Sequence, residues 1–286
     1  MIHPIFNKFK IIPETLNENY MQDFLGVMTK KIYLAENHID WTLDWHKYPL
    51  FNEEYIEWID VLTSVVMAKE KFTMIVLGAG WGRWISRAHA AMKQIHPEMP
   101  AHYIAIEGEP THFQWLMDHC RNNRMSHACL LIEGAVNDTG EDVMFHTGRP
   151  SEWYGQCIGG DTKVKAFALE QIFKMGSVES VDLIDLDIQG HEYIVLNSSK
   201  HLLSKVKKIH IGTHSKEVEK QLQIMFSEMN WTCINDYSLF TKHSTKYGEA
   251  EFNDGIQTWV NPDYIHEYNK YINTIFRSNR SNFLLS

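Results

Sequence analysis

The 286-residue sequence predicts an α/β fold. A mostly parallel seven-stranded sheet carries helices on both faces and is preceded by an N-terminal helical extension. Three observations predict it. From residue 72 onward, short apolar runs alternate with segments of helical periodicity, the pattern of a parallel sheet with crossover helices. The first of these runs, "FTMIVLGAG", passes straight into glycines. The last two, "WTCINDY" and "GIQTWVN", have no helix between them and read as a closing hairpin at one edge.

The elements follow in order. Residues 1–70 show no clear strand and form the helical extension. "NENYMQDFLGVMTKKIYLAEN" and "NEEYIEWIDVLTSVVMAKEKF" carry apolar residues at helical spacing. In the second, Asn52 stands as N-cap, with Glu53 and Glu54 in a first turn whose dipole favours acids. Residues 71–262 are the sheet domain. After "FTMIVLGAG" come the helix "WISRAHAAMKQI", the strand in "AHYIAIEGEP" and the helix "THFQWLMDHCRNN". "ACLLIEGAV", "VDLIDLDIQG" and "KKIHIGTHS" are strands, separated by the helical "LEQIF" and "YIVLNSSKHLLSK" and followed by "KEVEKQLQIMFSEMN". Residues 263–286 read as a short helix and a polar tail.

Composition narrows the function. Thirty-six acidic residues against 27 basic give a formal charge of −9, and no run of Lys or Arg exceeds two. A nucleic-acid partner is therefore not expected. Four cysteines, Cys120, Cys129, Cys157 and Cys233, form no C-x-x-C pair and suit a reducing compartment. No stretch approaches 18 apolar residues, and the N-terminus has no apolar signal core. The expectation is a soluble, cytoplasmic protein without a membrane partner.

The glycines carry the chemistry. Ligands of open α/β sheets sit beyond the carboxyl ends of the strands, where a glycine turn lets backbone N–H groups approach without a Cβ in the way. Gly78, Gly80 and Gly82 make G-x-G-x-G; the dinucleotide pattern is G-x-G-x-x-G, and Arg83 stands where its third glycine would fall. This turn, Gly78-Ala79-Gly80-Trp81, suits the amino-acid portion of S-adenosylmethionine. At the end of the second strand, Glu107 before Gly108 is placed to accept from both ribose hydroxyls, with Glu109 the alternative. After the third strand, Glu133, Gly134 and Ala135 are the candidates for cupping the adenine. The fourth strand sets Asp182, Asp185 and Asp187 in a buried run, followed by Gln189, His191 and Glu192. Burying so much charge needs a reason. Asp187 and Gln189 fall where ligands bind; Asp182 and Asp185 read as structural.

These segments, in this order, resemble the FkbM-type methyltransferases, a branch of the class I S-adenosylmethionine-dependent enzymes, over roughly residues 72–235. "VLGAGWG" resembles the donor loop, and "YIAIEGEPTHFQWLMDHCRNN" the strand ending F-E-P with its helix. "GAVNDTGEDVMF" and "VKAFALEQIF" resemble the two segments that follow. "VDLIDLDIQGHEYIVLNSS" resembles the V-D-l-l-K-i-D-v-E-G signature, the most specific piece. "IHIGTHS" and "EMNW" resemble the next strand and closing helix. The sequence departs from the family at Val76, where many methyltransferases carry an acid, at Asp185 in place of lysine and at Gln189 in place of glutamate.

The resemblance implies a class I methyltransferase-like sheet, S-adenosyl-L-methionine as cofactor, and methylation of a hydroxyl on a sugar or natural-product small molecule. A peptide amide or amine nitrogen is the second acceptor considered. Asp187 and His214, at the ends of neighbouring strands, are the candidates for taking the proton, the histidine because its free pKa is near neutral. "SEWYGQCIGG" reads as a mobile loop over the acceptor, with glycine hinges, and contributes Trp153, Tyr154 and Gln156; Gln189 and His191 complete the acceptor set. Trp41, Trp45 and Tyr48 are candidates for a lid. Asp187, His191 and His214 do not have metal-ligand spacing, and no metal is assigned. A homodimer is a possible assembly. Two other classes stand beside this reading. A nicotinamide-dependent oxidoreductase fits the glycine spacing poorly, and a non-catalytic binding module would have no need of the glycines and Glu107.

Overall fold

The computed structural model describes residues 1–15, 17–34, 47–148 and 154–283. Its centre is the expected seven-stranded sheet. The strands are β1 (Phe72–Leu77), β2 (Ala101–Glu107), β3 (Cys129–Glu133), β4 (Leu183–Leu186), β5 (Lys208–Thr213), β6 (Thr232–Tyr237) and β7 (Gly255–Val260). They lie in the order β6-β7-β5-β4-β1-β2-β3. All neighbours are parallel except β7, which runs antiparallel to both β5 and β6. The closing hairpin lies at one edge as expected, with β6 outermost and β7 between it and β5. A further hairpin, Thr241–Thr245 with Gly248–Phe252, lies between β6 and β7 in the chain; its polar alternation gave no apolar run to detect.

The helices are α1 (Glu54–Met67), α2 (Arg83–Ile95), α3 (Pro110–Asn122), α4 (Leu169–Met175), α5 (Glu192–Ser198), α6 (Lys216–Glu228) and α7 (Ile265–Phe283). Each of the first six was legible as periodicity. The last is one 19-residue helix rather than a short helix with a tail.

Central strands read as continuous apolar runs because both sheet faces are covered. Every residue of β1 is buried. Met74 and Val76 face a core shared with α1, α2 and α3; Ile75 and Leu77 face another built with α4, α5 and α6. By the same alternation Ile184 and Leu186 of β4 point to the second core, so Asp185 and Asp187 point to the α1 side.

Residues 1–34 depart from the expectation of helix. Tyr20–Gln22 and Met28–Lys30 pair as a short antiparallel hairpin. Its turn is fixed by Asp23, whose Oδ1 accepts from the backbone N–H groups of Leu25 and Val27, and by Gly26 at φ +90°. Local side-chain bonds of this kind compete with helix and win here. Ile5, Phe6, Phe9, Phe24, Leu25 and Val27 join the same core as α1 and α2. Arg87 ties the hairpin down: Nε lies 3.4 Å from Asp23, and the guanidinium sits between the rings of Trp58 and Trp84 at 4.0 and 4.4 Å. Asn52 does not cap α1 with its side chain; its carbonyl accepts from Tyr55 instead. Tyr48 is no lid residue. Its hydroxyl donates to the Phe9 carbonyl at 3.0 Å and its ring packs on Phe6 and Phe24. Trp41 and Trp45 lie outside the described residues.

Candidate active site

The chain runs from β1 outward to β3, then returns to place β4 on the other side of β1. The crevice between β1 and β4 is thus the topological switch point, where ligands of such sheets bind. A cavity of about 280 Å³ opens there.

One end of it is the glycine turn. Gly78, Gly80 and Gly82 all have positive φ, at +82°, +52° and +82°. A Cβ on Gly78 would fall 1.8 Å from the backbone oxygen of Asp187, so only glycine lets β1 and β4 close at this point. Ala79, Gly80 and Trp81 line the cavity. Glu107 stands at the end of β2. Its Oε2 accepts from Gly80 N–H at 2.6 Å and its Oε1 from Glu109 N–H at 2.7 Å. Burial pushes its carboxyl up to about 7, against the backbone N–H bonds from Glu109 and Gly80. Each oxygen keeps a further lone pair for a ligand hydroxyl. Glu109 is otherwise occupied: it caps α3, accepting from His112 N–H at 2.7 Å. Gly108, Gly134 and Ala135 line the cavity, together with Ile106, Val136, Phe145 and Ile158. Glu133 does not. It is exposed and absent from the lining, because β3 ends with its side chain turned to solvent.

Tyr154 and Gln156 also line this cavity. Tyr154 stacks on His112 at 4.4 Å between ring centroids, donates to the Tyr33 carbonyl, and lies 3.9 Å from a Cβ position on Gly80. It braces the glycine turn. Trp153 lies outside the described residues.

Asp187 marks the junction with the other end. Its side chain is 54 % exposed and opens into the cavity. Gln189, at φ +55°, donates to its Oδ1 at 2.8 Å. Gly212 makes room: a Cβ there would touch the Asp187 carboxyl at 3.4 Å. His214 approaches Asp187 with Nε2 at 3.2 Å and Glu192 with Nδ1 at 2.9 Å. Burial opposes charge on this ring, but the two carboxylates outweigh it and lift its pKa to about 10. The two carboxylates thus favour the imidazolium form of His214, which fits a positioning role rather than the base expected of it. Glu192, wholly buried, also accepts from Gly190 N–H at 2.9 Å and so holds the turn after β4 in place. The contact with His214 in turn keeps the Asp187 carboxyl below the usual range, against only partial desolvation in the cavity wall. His191 is not in the lining either; it stands at the N-cap of α5 with Nδ1 buried and, among the described residues, unpartnered.

The far end is acidic. Glu53, Glu54, Glu57, Asp185, Asp187 and Asp254 line it, with Arg83, His210 and Trp84. Glu54 pairs with Arg83. Asp185 is not the structural residue it resembled; that part belongs to Asp182, which accepts from Thr73 N–H at 2.8 Å and Lys207 Nζ at 2.7 Å. Beneath this end lies a network that no motif announced. Asp60, with no exposed surface, meets His210 Nδ1 at 2.8 Å, Thr258 Oγ1 at 2.5 Å and Lys208 Nζ at 3.4 Å. Its signal in the sequence is faint: acids at 54, 57 and 60 in α1, and polar residues at 208 and 210 alternating with isoleucines in β5.

Comparison with known proteins identifies the family. The model of the methyltransferase FkbM domain matches residues 82–239. The chain belongs to the FkbM methyltransferase family. A putative methyltransferase of Jannaschia sp. (strain CCS1) is 26 % identical over 209 residues, covering 68 % of this chain and 72 % of that one. Among solved structures, a precorrin-6y C5,15-methyltransferase from Geobacter metallireducens matches 75 % of this chain and 92 % of its own, with a TM-score of 0.45 and 10 % identity. TrmK of M. capricolum, solved with S-adenosyl-homocysteine, matches 71 % of this chain and 67 % of its own, with a TM-score of 0.40 and 8 % identity. The protein is an S-adenosylmethionine-dependent methyltransferase. The residues present fit that donor. The close β1–β4 approach at Gly78, the carboxylate of Glu107 and the small Gly134–Ala135 pair lie along one wall of one cavity. Among the described residues, no helix is long and apolar enough to cross a membrane.

Proposed function

We propose that the enzyme methylates a hydroxyl of a small polyhydroxylated molecule, such as a sugar or a sugar-bearing natural product. One observation carries the reading: the acceptor end of the cavity is lined by carboxylates that open from the donor end through Asp187. Carboxylates accept hydrogen bonds from neighbouring hydroxyls, and Trp84 and Tyr154 add aromatic surface to the cavity lining for the carbon side of such a molecule.

When bound, S-adenosylmethionine supplies an electrophilic methyl group on sulfur. The chain's own residues do the rest. Asp187 accepts a hydrogen bond from the acceptor hydroxyl and takes its proton as the oxygen becomes alkylated. Gln189 and His214 hold that carboxylate in place. Glu192 fixes His214, so the histidine positions the base rather than serving as one. Alignment then contributes most of the rate.

The surplus of acids favours one alternative, a cationic amine acceptor. A screen with methyl-labelled donor against polyols, glycosides and primary amines distinguishes them. Label on oxygen in a polyol or glycoside supports the proposal. Label found only on nitrogen overturns it.

A further inference from the structure

We propose that Glu57, Asp185 and His210 bind one divalent transition-metal ion at the acceptor end of the cavity. One ligand atom from each lies within 4.8 Å of the others. Atoms bound to a shared ion at about 2.0–2.2 Å stand up to roughly 4.4 Å apart, so small side-chain rotations close the set. Asp185 and His210 are register partners on β4 and β5, and α1 lowers Glu57 onto them.

Two observations beyond the acidity point to a cation. The first is the histidine. His210 is 4 % exposed and its Nδ1 is committed to the buried carboxylate of Asp60. That carboxylate, ionised beside Lys208, only accepts, so Nδ1 carries a hydrogen and Nε2 is the nitrogen left toward the cavity. Among the described residues Nε2 has no hydrogen-bond partner. A carboxylate behind a histidine, fixing its tautomer and raising its basicity, is how metal-bound imidazoles are held. The second is Asp185. It is 3 % exposed, and among the described residues its carboxyl faces the ring of His210 and the carboxyl of Glu57. No lysine or arginine among the described residues lies within ion-pair distance of either acid; Arg83 is taken by Glu54. Two facing acids in a closed place need a proton or a cation between them.

One nitrogen and two carboxylates suit Mn²⁺, Fe²⁺ or Zn²⁺ better than Mg²⁺ or Ca²⁺, which take all-oxygen sets. Three protein ligands leave positions open toward the cavity. The other nearby cluster, Asp187, Glu192 and His214, is different: both ring nitrogens of its histidine already face carboxylates. The site does not depend on which acceptor is methylated.

Calorimetry of the full chain, stripped with a chelator and titrated with MnCl₂ and separately with ZnCl₂, tests this. One ion per chain is expected, with release of the shared proton seen as a buffer-dependent enthalpy. Glu57→Gln and Asp185→Asn should each weaken binding at least about tenfold and suppress the proton release, while S-adenosylhomocysteine binding persists as the control for folding. Glu192→Gln should retain the ion. A reading that needs no variant is NMR of the wild-type protein, where substoichiometric Mn²⁺ should broaden the His210 ring signals before those of the other histidines. Absence of binding by either metal at millimolar concentration, or binding unchanged in both Glu57→Gln and Asp185→Asn, overturns the proposal.

Discussion

The two ends of the cavity are built in opposite ways. The donor end is local. Its parts come from the few residues after β1, β2 and β3, and each is set by backbone geometry: positive φ at three glycines and an acid at a strand terminus. The acceptor end is assembled from afar. Glu57 comes from α1, Asp185 from β4, His210 from β5 and Asp254 from the turn before β7. Its properties are electrostatic and arise only when those segments meet. The donor end should therefore fail through shape, and the acceptor end through charge.

Gly78→Ala is the severest test of the first half. A methyl group 1.8 Å from the Asp187 carbonyl must push β4 off β1, at a position that also needs φ +82°. A loss of stability of about 3 to 5 kcal/mol is expected, with no S-adenosylhomocysteine binding in whatever folds. Thermal unfolding and calorimetry read both. A folded variant with near-normal affinity would mean that the close β1–β4 approach is not needed.

Glu107→Gln should weaken S-adenosylhomocysteine binding by roughly ten- to a hundredfold, the worth of charge-assisted bonds of about 1.5 to 3 kcal/mol. Its pH dependence follows from the raised pKa. Above about 7 the free enzyme presents a carboxylate, and below it a protonated acid that has lost one acceptor site. Affinity should fall as pH drops through about 7 in the wild type and stay flat in Glu107→Gln. An affinity independent of pH in the wild type would remove this role from Glu107.

How much of this was legible follows the same division. The glycines, Glu107 and the order of strands could be read because they are patterns along the chain: apolar runs, periodicity, and a spacing with a known use. Glu133 was misplaced because it is the register partner of Glu107 on the neighbouring parallel strand, but β3 is the edge strand of the sheet, so its terminal acid is exposed where that of β2 is buried. His214 was correctly set beside Asp187, but its chemistry was inverted. Glu192, 22 residues away in sequence, makes it a cation, and no local motif reveals that. Asp60, Lys208 and Thr258 were invisible for the same reason, being 148 and 198 residues from their partner. The N-terminal hairpin was missed because its apolar residues fit a helix equally well, and Asp23 decided the matter through bonds to its own backbone.

For the acceptor end, His214→Gln removes the imidazolium without removing the hydrogen-bonding reach. A proton-accepting histidine would make the rate climb toward its pKa near 10. A positioning cation predicts a rate flat from about pH 6 to 9, with kcat lowered by about tenfold and donor affinity kept. Stability carries the same signature. The folded pKa is raised above the free value of 6.5, so the ring's contribution is complete below about 6.5 and is lost as pH rises through about 10. Wild type should lose stability relative to His214→Gln over that interval. A wild-type rate rising steadily to pH 10 would restore the histidine as base.

The smallest expected effect separates both ends from the scaffold around them. Tyr48 lies in the aromatic stretch that suggested a lid, yet its ring is packed among Phe6 and Phe24 and, among the described residues, its hydroxyl meets the Phe9 carbonyl. Tyr48→Phe keeps the ring and deletes one hydrogen bond in a half-buried place. About 0.5 to 1.5 kcal/mol of stability should go, because the Phe9 carbonyl is left without that donor. Donor affinity and turnover should match the wild type, since the residue touches neither end of the cavity. Chemical denaturation with parallel steady-state kinetics measures the two together. A variant of unchanged stability whose KM for the acceptor rises severalfold would instead place Tyr48 over the acceptor, and the acceptor end would then be closed by the N-terminal segment as well as floored by α1.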